Sequence, residues 1–456
     1  MSTESLKSAY VSTKDFKSKR PPLQKRTFTS EAVEEEIRRV SSGIGDPELA
    51  WLFSNCFPNT LDTTVKFRIA NGKPDTFVIT GDIDAMWLRD STEQVWPYVR
   101  LANLEEKLKL LIAGVINRQT ECILLDPYAN AFNYGPTGSP FDNDLTQMKP
   151  GLHERKWELD SLCYPVRLAH GYWKTTGDVS CFDDRWKAAM KVIVTTFRQQ
   201  QRKDGHGPYK FQRVTATYTD TAPGGGYGNP VVPVGLIVSL FRPSDDATIF
   251  PFLVPSNYFA VKSLRQLSGM FSEIFVDREF AGNCASLADE VEASLRGYAI
   301  VEHPLFGRIL PYEVDGFGDK LFMDDASIPS LLSLPYLDCI SQSDPVYQNT
   351  RAFLLSGDNP YFFKGAAGEG IGSPHAGMNK IWPMGIMMRA FTTSNDDEIT
   401  KCLNMLINSN AGTGFMHESF DENDPKKFTR SWFAWANTLF GDLLIKLYNE
   451  KPYLLR

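Results

Sequence analysis

Apolar residues at helical spacing recur along almost the whole chain, and this narrows the choice of folds more than any other feature. Between Phe182 and Gln201, the residues Trp186, Ala189, Met190, Ile193 and Phe197 fall on one helical face. The last long stretch repeats the pattern with Trp432, Trp435, Ala436, Leu439 and Leu443. Similar runs lie near 31–40, 47–56, 91–118, 158–175, 256–272, 283–298, 328–338, 345–354, 379–392 and 396–409. Counting 91–118 as two helices gives about a dozen or slightly more. Strand signals are few; 64–69 and 76–80 flank Asn71-Gly72-Lys73-Pro74-Asp75 and predict one small hairpin. No Gly/Ser-rich linker splits the chain, and no internal repeat has the strength of a solenoid. So many helices in one undivided domain predict an all-α toroid of paired helices, with side chains at one end converging on a central pit. Residues 1–28, polar and carrying Lys19-Arg20-Pro21-Pro22, read as a flexible arm ahead of a single domain over 29–456.

Hydrophobic residues make up 42% of the 456 and charged residues 23%, enough for a substantial core. The net charge of -7, without a basic run, speaks against nucleic acid and anionic membrane surfaces as partners. The N-terminal Met-Ser-Thr-Glu-Ser-Leu-Lys has no apolar secretion signal, and no window reaches the ~18 apolar residues of a membrane span. A cytoplasmic location is the default expectation, or a secreted one if a leader has been removed. Seven scattered cysteines without Cys-x-x-Cys disfavour a disulfide framework, and six dispersed histidines offer no zinc ligand pair. A metal held by carboxylates alone stays open at this level. No cofactor motif and no protein partner is evident.

The acids carry the chemistry. Residues 80–93 read Thr-Gly-Asp-Ile-Asp-Ala-Met-Trp-Leu-Arg-Asp-Ser-Thr-Glu, gathering Asp82, Asp84, Asp90 and Glu93 around Arg89 and Trp87. Carboxylates and a guanidinium hold hydroxyls in fixed directions, and an indole packs on the apolar face of a sugar ring. The alternative is an acidic turn capping a helix that starts near Ser91. In Phe241-Arg-Pro-Ser-Asp-Asp-Ala247 the adjacent Asp245 and Asp246 raise each other's proton affinity, which suits one of them as a proton donor. Helix capping explains them equally simply. Gly414-Phe-Met-His-Glu-Ser-Phe420 places Glu418 beside His417 among apolar residues, a setting suited to a general base; a surface turn acid is the alternative.

Glu313 and Asp315, followed by Asp324 and Asp325, are either ligands for sugar hydroxyls or a buried structural network. Trp157, Glu158 and Asp160, with Gly372-Ser-Pro-His375 and the nearby Trp382, complete the binding candidates. The glycine-rich Pro223–Pro230 lacks the ending of a phosphate loop and reads as a substrate-facing loop or a plain connector. Gly-x-Ser-x-Gly is absent. Two carboxylates on separate loops are the minimum equipment for breaking a glycosidic bond, and hydrolysis needs no cofactor.

Taken in order, Ile79–Asp90, Phe241–Ala247, Gly372–His375, Met416–Phe420 and Phe433-Ala-Trp-Ala-Asn437 resemble glycoside hydrolase family 125 over roughly residues 30–450. The resemblance implies an (α/α)6 barrel and a metal-independent, inverting exo-α-1,6-mannosidase acting on an α-mannoside glycan. It further implies that Asp245 or Asp246 is the general acid, Glu418 the general base, and that Trp87, Arg89, Asp90 and His375 line the terminal mannose subsite. Inversion places the two catalytic carboxyls roughly 6.5–9.5 Å apart. Rival readings are another inverting α-glycosidase on the same barrel, such as an α-glucosidase, or a glycan-binding protein that has lost catalysis.

Overall fold

The computed structural model describes residues 16–456, with thirteen α-helices among them. In chain order these are α1 (Glu31–Ser41), α2 (Pro47–Cys56), α3 (Asn59–Thr63), α4 (Leu88–Val95), α5 (Glu106–Leu125), α6 (Leu159–Thr176) and α7 (Asp184–Gln200). The second half adds α8 (Val254–Glu273), α9 (Arg278–Tyr298), α10 (Pro345–Leu354), α11 (Pro383–Phe391), α12 (Asp396–Asn408) and α13 (Ala434–Glu450).

The helices pair into two rings. On the inside α4 packs against α6, α6 against α8, α11 against α13, and α13 returns to α4. Outside them, α2 backs α13, α5 backs α6, α9 backs α8 and α12 backs α11. This is the (α/α)6 barrel expected of the sequence, with one departure. The run 328–338 forms turns and not a helix. It still touches the inner ring, since Tyr164 of α6 donates to the Ile328 carbonyl (2.8 Å) and Tyr336 packs on Phe391 of α11 at 5.0 Å. Local polar bonds divert its backbone from helical pairing. Ser330 and Ser333 each accept the other's amide (2.8 and 3.1 Å), and Asp324 takes the amides of Leu331 and Leu332. Pro335 brings no amide of its own.

The rings differ in how their helices begin. Six helices outside the inner ring start with a side chain that accepts one of their own first amides: Ser30, Asp46, Asp183, Asp277, Asp344 and Asn395. The inner helices α4, α6, α8, α11 and α13 follow Trp87, Glu158, Leu253, Trp382 and Phe433, none of which caps. Groups distant in sequence bond their leading amides. Leu88 donates to the Asn130 carbonyl, Leu159 to Ser239 Oγ and Val254 to the Tyr312 carbonyl, while Pro383 has no amide to satisfy. Two-residue strands lead into three of these helices, at Met86–Trp87, Phe252–Leu253 and Lys380–Ile381, and each joins a three-stranded sheet.

The expected hairpin is present as Val65–Ala70 paired with Lys73–Val78. Its turn is tighter than expected, because Asn71 (φ 51) and Gly72 (φ 78) alone make the reversal. The arm differs more. Residues 1–15 lie outside the described residues, but 16–28 pack on the barrel and do not behave as a loose tail. Arg20 bonds Asp62 at 2.7 Å and Glu34 at 2.9 Å, and Phe28 is buried. A basic, proline-bearing sequence reads as flexible when its acidic partners lie up to 42 residues away.

Candidate active site

The N-terminal ends of the inner helices surround a pit of about 430 Å³. Trp87, Arg89 and Asp90 reach it from the start of α4, Trp382 from the start of α11, and Phe433 and Trp435 from the start of α13. Loops add Ser244 and Asp245, His375, and Glu418 with Arg430. Helix N-termini carry partial positive charge, so this end of the barrel favours acids.

Arg89 lies almost entirely buried at the base of the pit, with four carboxylates around it. Its Nη1 bonds Glu158 at 2.7 Å and Asp160 at 3.2 Å, Nη2 bonds Asp245 at 3.2 Å, and Nε is 3.6 Å from Asp90. One guanidinium cannot compensate four buried acids, so burial raises the pKa of several of them. Asp160 is pushed up to about 6, and Asp90 is raised although Arg89 and the Thr80 hydroxyl oppose the shift.

Glu158 and Asp245 are in side-chain contact and divide unequally. Burial holds Glu158 well above the usual carboxylate range, against Arg89, with the Asp245 charge adding to the rise. Burial also acts on Asp245, but the hydrogen bond from Glu158, together with Arg89, Lys156 and His375, holds it below that range. These opposite shifts favour a proton on Glu158 over one on Asp245.

The turn bearing Asp245 is braced from several sides. Asp245 itself sits at φ 66, a left-handed conformation that aspartate tolerates better than most residues. Lys156 Nζ donates to its carbonyl at 2.8 Å. Glu313 takes Arg242 Nε at 2.6 Å and the amides of Ile249 and Phe250, and Asp325 takes the Ser244 hydroxyl at 2.8 Å.

Here the two adjacent aspartates separate. Asp245 lines the pit, whereas Asp246 lies behind it, 4% exposed, with Oδ1 3.2 Å from His375 Nδ1. Burial works against charge on His375, but Asp246 first, then Asp245 and Glu418, raise it to about 9.

Glu418 is mostly buried, with Arg430 Nε at 3.4 Å; its surroundings are thus cationic on one side and not simply apolar. Arg430 also lies 3.5 Å from Asp82 and 5.4 Å from the Phe433 ring centroid.

Several expected ligands stand elsewhere. Asp84 is exposed and pairs with Lys66 at 2.6 Å. Asp82 faces Arg430, and Glu93 lies deep in the barrel against Arg167 and Tyr336, so residues 80–93 do not converge on Arg89 as expected. Adjacent positions in a strand or helix point in different directions, so Thr80, Ile83, Trp87, Arg89 and Asp90 line the pit while Asp82, Asp84 and Glu93 do not. Trp157 is a core residue whose indole bonds the Val238 carbonyl. Glu158 and Asp160 sit one layer behind the pit wall, on Arg89. Glu313 braces the Asp245 turn, and Asp315 caps a local turn through the amides of Phe317, Gly318 and Asp319. His417 stacks on Phe428 at 3.9 Å, and its two ring nitrogens meet the carbonyls of Arg430 and Asn410. Asp324 and Asp325 belong to the structural network.

Sequence reasoning misses Arg430, Trp435, Thr80 and Ser244. Trp435 carries a signal, as an aromatic at the start of the last helix, but helical spacing assigns it to the core. The indole Nε1 atoms of Trp87, Trp382 and Trp435 have no hydrogen-bond partner among the described residues, and all three side chains line the pit.

Acids on separate loops, a guanidinium and indoles enclosed by the inner helix starts of an (α/α)6 barrel are the equipment of a glycoside hydrolase. The profile of the metal-independent α-mannosidases, glycoside hydrolase family 125, matches residues 46–445, and the chain belongs to that family. The chain is 42% identical to the meiotically up-regulated gene 157 protein of Schizosaccharomyces pombe, across 96% of this chain and 89% of that protein. It resembles a Streptococcus pneumoniae metal-independent α-mannosidase solved in a non-productive complex with α-1,6-mannobiose, at TM-score 0.89 and 39% identity, over 93% of this chain and 100% of that one. A bacterial glucoamylase bound to acarbose shares the fold alone, at TM-score 0.56 and 12% identity over 92% of this chain and 60% of the other. Among the described residues, no helix is long and apolar enough to cross a membrane.

Proposed function

We propose that this α-mannosidase is an inverting, exo-acting enzyme on terminal α-1,6-linked mannose, with Asp245 as general acid and Glu418 as general base. The observation that carries this reading is that Asp245 and Glu418, 173 positions apart in sequence (418 − 245), line one pit with Arg89 and three tryptophans. The likeness to the α-1,6-mannobiose-bound pneumococcal enzyme supports the linkage.

In the reaction Glu418 takes a proton from water as its oxygen attacks the anomeric carbon. The bond from that carbon to the leaving oxygen breaks, and Asp245 protonates the oxygen. The proton passes from Glu158 to Asp245 and on to the leaving oxygen, and the pair takes a new proton from solvent as Glu418 releases the one it gained. Asp90 and the unpartnered indole N–H groups bind ring hydroxyls, and the Trp faces pack on the apolar side of the sugar.

The test is proton NMR of the chelator-dialysed protein acting on α-1,6-mannobiose. β-Mannose as the first product is the expected result. α-Mannose appearing first would overturn the role of Glu418 and require a covalent intermediate.

A further inference from the structure

A second concavity lies against the far side of the turn that carries Asp245. It spans about 1110 Å³ with its open mouth included, against about 430 Å³ for the pit on the same measure, and is lined mainly by apolar and aromatic side chains. The two share their dividing walls. Ser244 and Asp245 face the pit while Arg242, Ala247, Thr248 and Ile249 face the groove, and His375 faces the pit while Pro374 faces the groove. The opposite wall comes from the segment that leads into the glycine-rich loop: Tyr218, Thr219, Thr221 and Pro223. The Ala247 amide donates to the Thr219 carbonyl at 2.6 Å, which ties that segment to the Asp245 turn.

Three features of the groove go unused by the barrel. Tyr218 is 84% exposed and Ile249 47% exposed, although both line a concave surface. Arg242 is 3% exposed, and its Nη2 has no hydrogen-bond partner among the described residues. Tyr361 adds a second aromatic ring. Flat aromatic faces with a few polar donors suit pyranose rings, whose one face is apolar and whose edge carries hydroxyls.

Resting on the reading above, in which Asp245 protonates the leaving oxygen, we propose that this groove binds the leaving portion of the glycan beyond its first sugar. Tyr218 and Tyr361 supply stacking platforms, and Arg242 Nη2 donates to a hydroxyl. The occupant is a saccharide because the groove adjoins the turn holding the acid, so the leaving group passes along that turn. The glycine-rich segment is then a substrate-facing wall and not a plain connector.

The experiment compares kcat/KM for linear α-1,6-mannotetraose and α-1,6-mannobiose in the wild type, Tyr218→Ala and Ile249→Ser. Both side chains are exposed, so folding is not at stake. Stacking of this kind is worth about tenfold. The wild type is expected to favour the tetrasaccharide by about that factor, and each variant to lower the tetrasaccharide value about tenfold more than the mannobiose value. Equal rates on both substrates in the wild type, or equal losses in the variants, would overturn the groove. If the wild type cleaved neither sugar, the reading of the pit would fail by itself. Calorimetric titration of mannotetraose into wild type and Tyr218→Ala would then decide the groove, weaker binding by the variant supporting it and equal binding overturning it.

Discussion

Replacing Glu158 with glutamine isolates the shared proton from the architecture that holds it. Glu158 Oε2 accepts from Arg89 Nη1 at 2.7 Å and Ser161 Oγ at 2.8 Å, Oε1 accepts from Asn130 Nδ2 at 3.4 Å, and the carboxyl is in contact with Asp245. A glutamine keeps the same outline. Its oxygen takes the Arg89 and Ser161 bonds, and its amide replaces the carboxyl proton as a donor to Asp245. Only the long bond from Asn130 disappears, and that amide also has Glu154 at 2.9 Å, so the stability cost is within about 1 kcal/mol. The chemistry changes far more. With Arg89, Lys156 and His375 holding Asp245 ionised, no proton remains for the leaving oxygen. Hydrolysis of α-1,6-mannobiose should fall about a hundredfold, or about 2.7 kcal/mol of transition-state stabilisation. A dinitrophenyl α-mannoside, whose leaving group needs no proton, should lose less than about threefold, because Glu418 is untouched. The assay is kcat/KM on both substrates, with a thermal melt to verify folding. Equal losses on the two substrates, or none on mannobiose, would refute the shared proton and leave Glu158 only a brace for Arg89.

Other expectations follow from the same geometry. Glu418→Ala should lower turnover on every α-mannoside by at least about a hundredfold with an unchanged melt; wild-type turnover would remove Glu418 from the mechanism. Asp246→Asn should bring the titration of His375, followed by NMR of its ring, down from about 9 toward the ordinary histidine range, since Asp246 is the chief source of the rise. The sign is that His375 loses its charge as pH climbs through about 9 in the wild type, and at lower pH in the variant. Arg20→Ala should cost about 2–3 kcal/mol in denaturant unfolding, because Asp62, 2% exposed, loses its nearest cation and keeps only Arg26 at 3.5 Å. A change under about 0.5 kcal/mol would show that the Arg20–Asp62 pair adds nothing measurable to stability.

The boundary between what the sequence shows and what it hides follows the two rings. Most starts outside the inner ring are legible, since Ser30, Asp46, Asp183, Asp277, Asp344 and Asn395 accept amides two or three residues ahead, a local rule to which α3 and α5, after Pro58 and Glu105, are the exceptions. At the inner ring that rule is broken in every case, because the cap positions hold Trp87, Glu158, Leu253, Trp382 and Phe433. Four of these five line the pit or lie directly behind it. A short capping side chain there would satisfy the helix but leave no indole or phenyl ring at the pit and no longer acid to reach Arg89, so capping passes to partners such as Asn130 and Ser239. The same substitution of distant for local partners explains where the expected site departs from the observed one. Asp84, Asp315 and His417 attract attention because they stand beside informative residues, yet each is satisfied by its own surroundings, on Lys66, a local turn and two carbonyls. Asp245 depends on Arg89, Asn130 and Lys156, which lie 156, 115 and 89 residues away. Motif density locates the loops that reach the pit, but only the closure of the barrel decides which side chain on each loop faces it. An unsatisfied cap position at a helix start is therefore the sharper sequence mark of this kind of site. The bulky or acidic residue standing there has been released from capping and is held in place by the rest of the barrel.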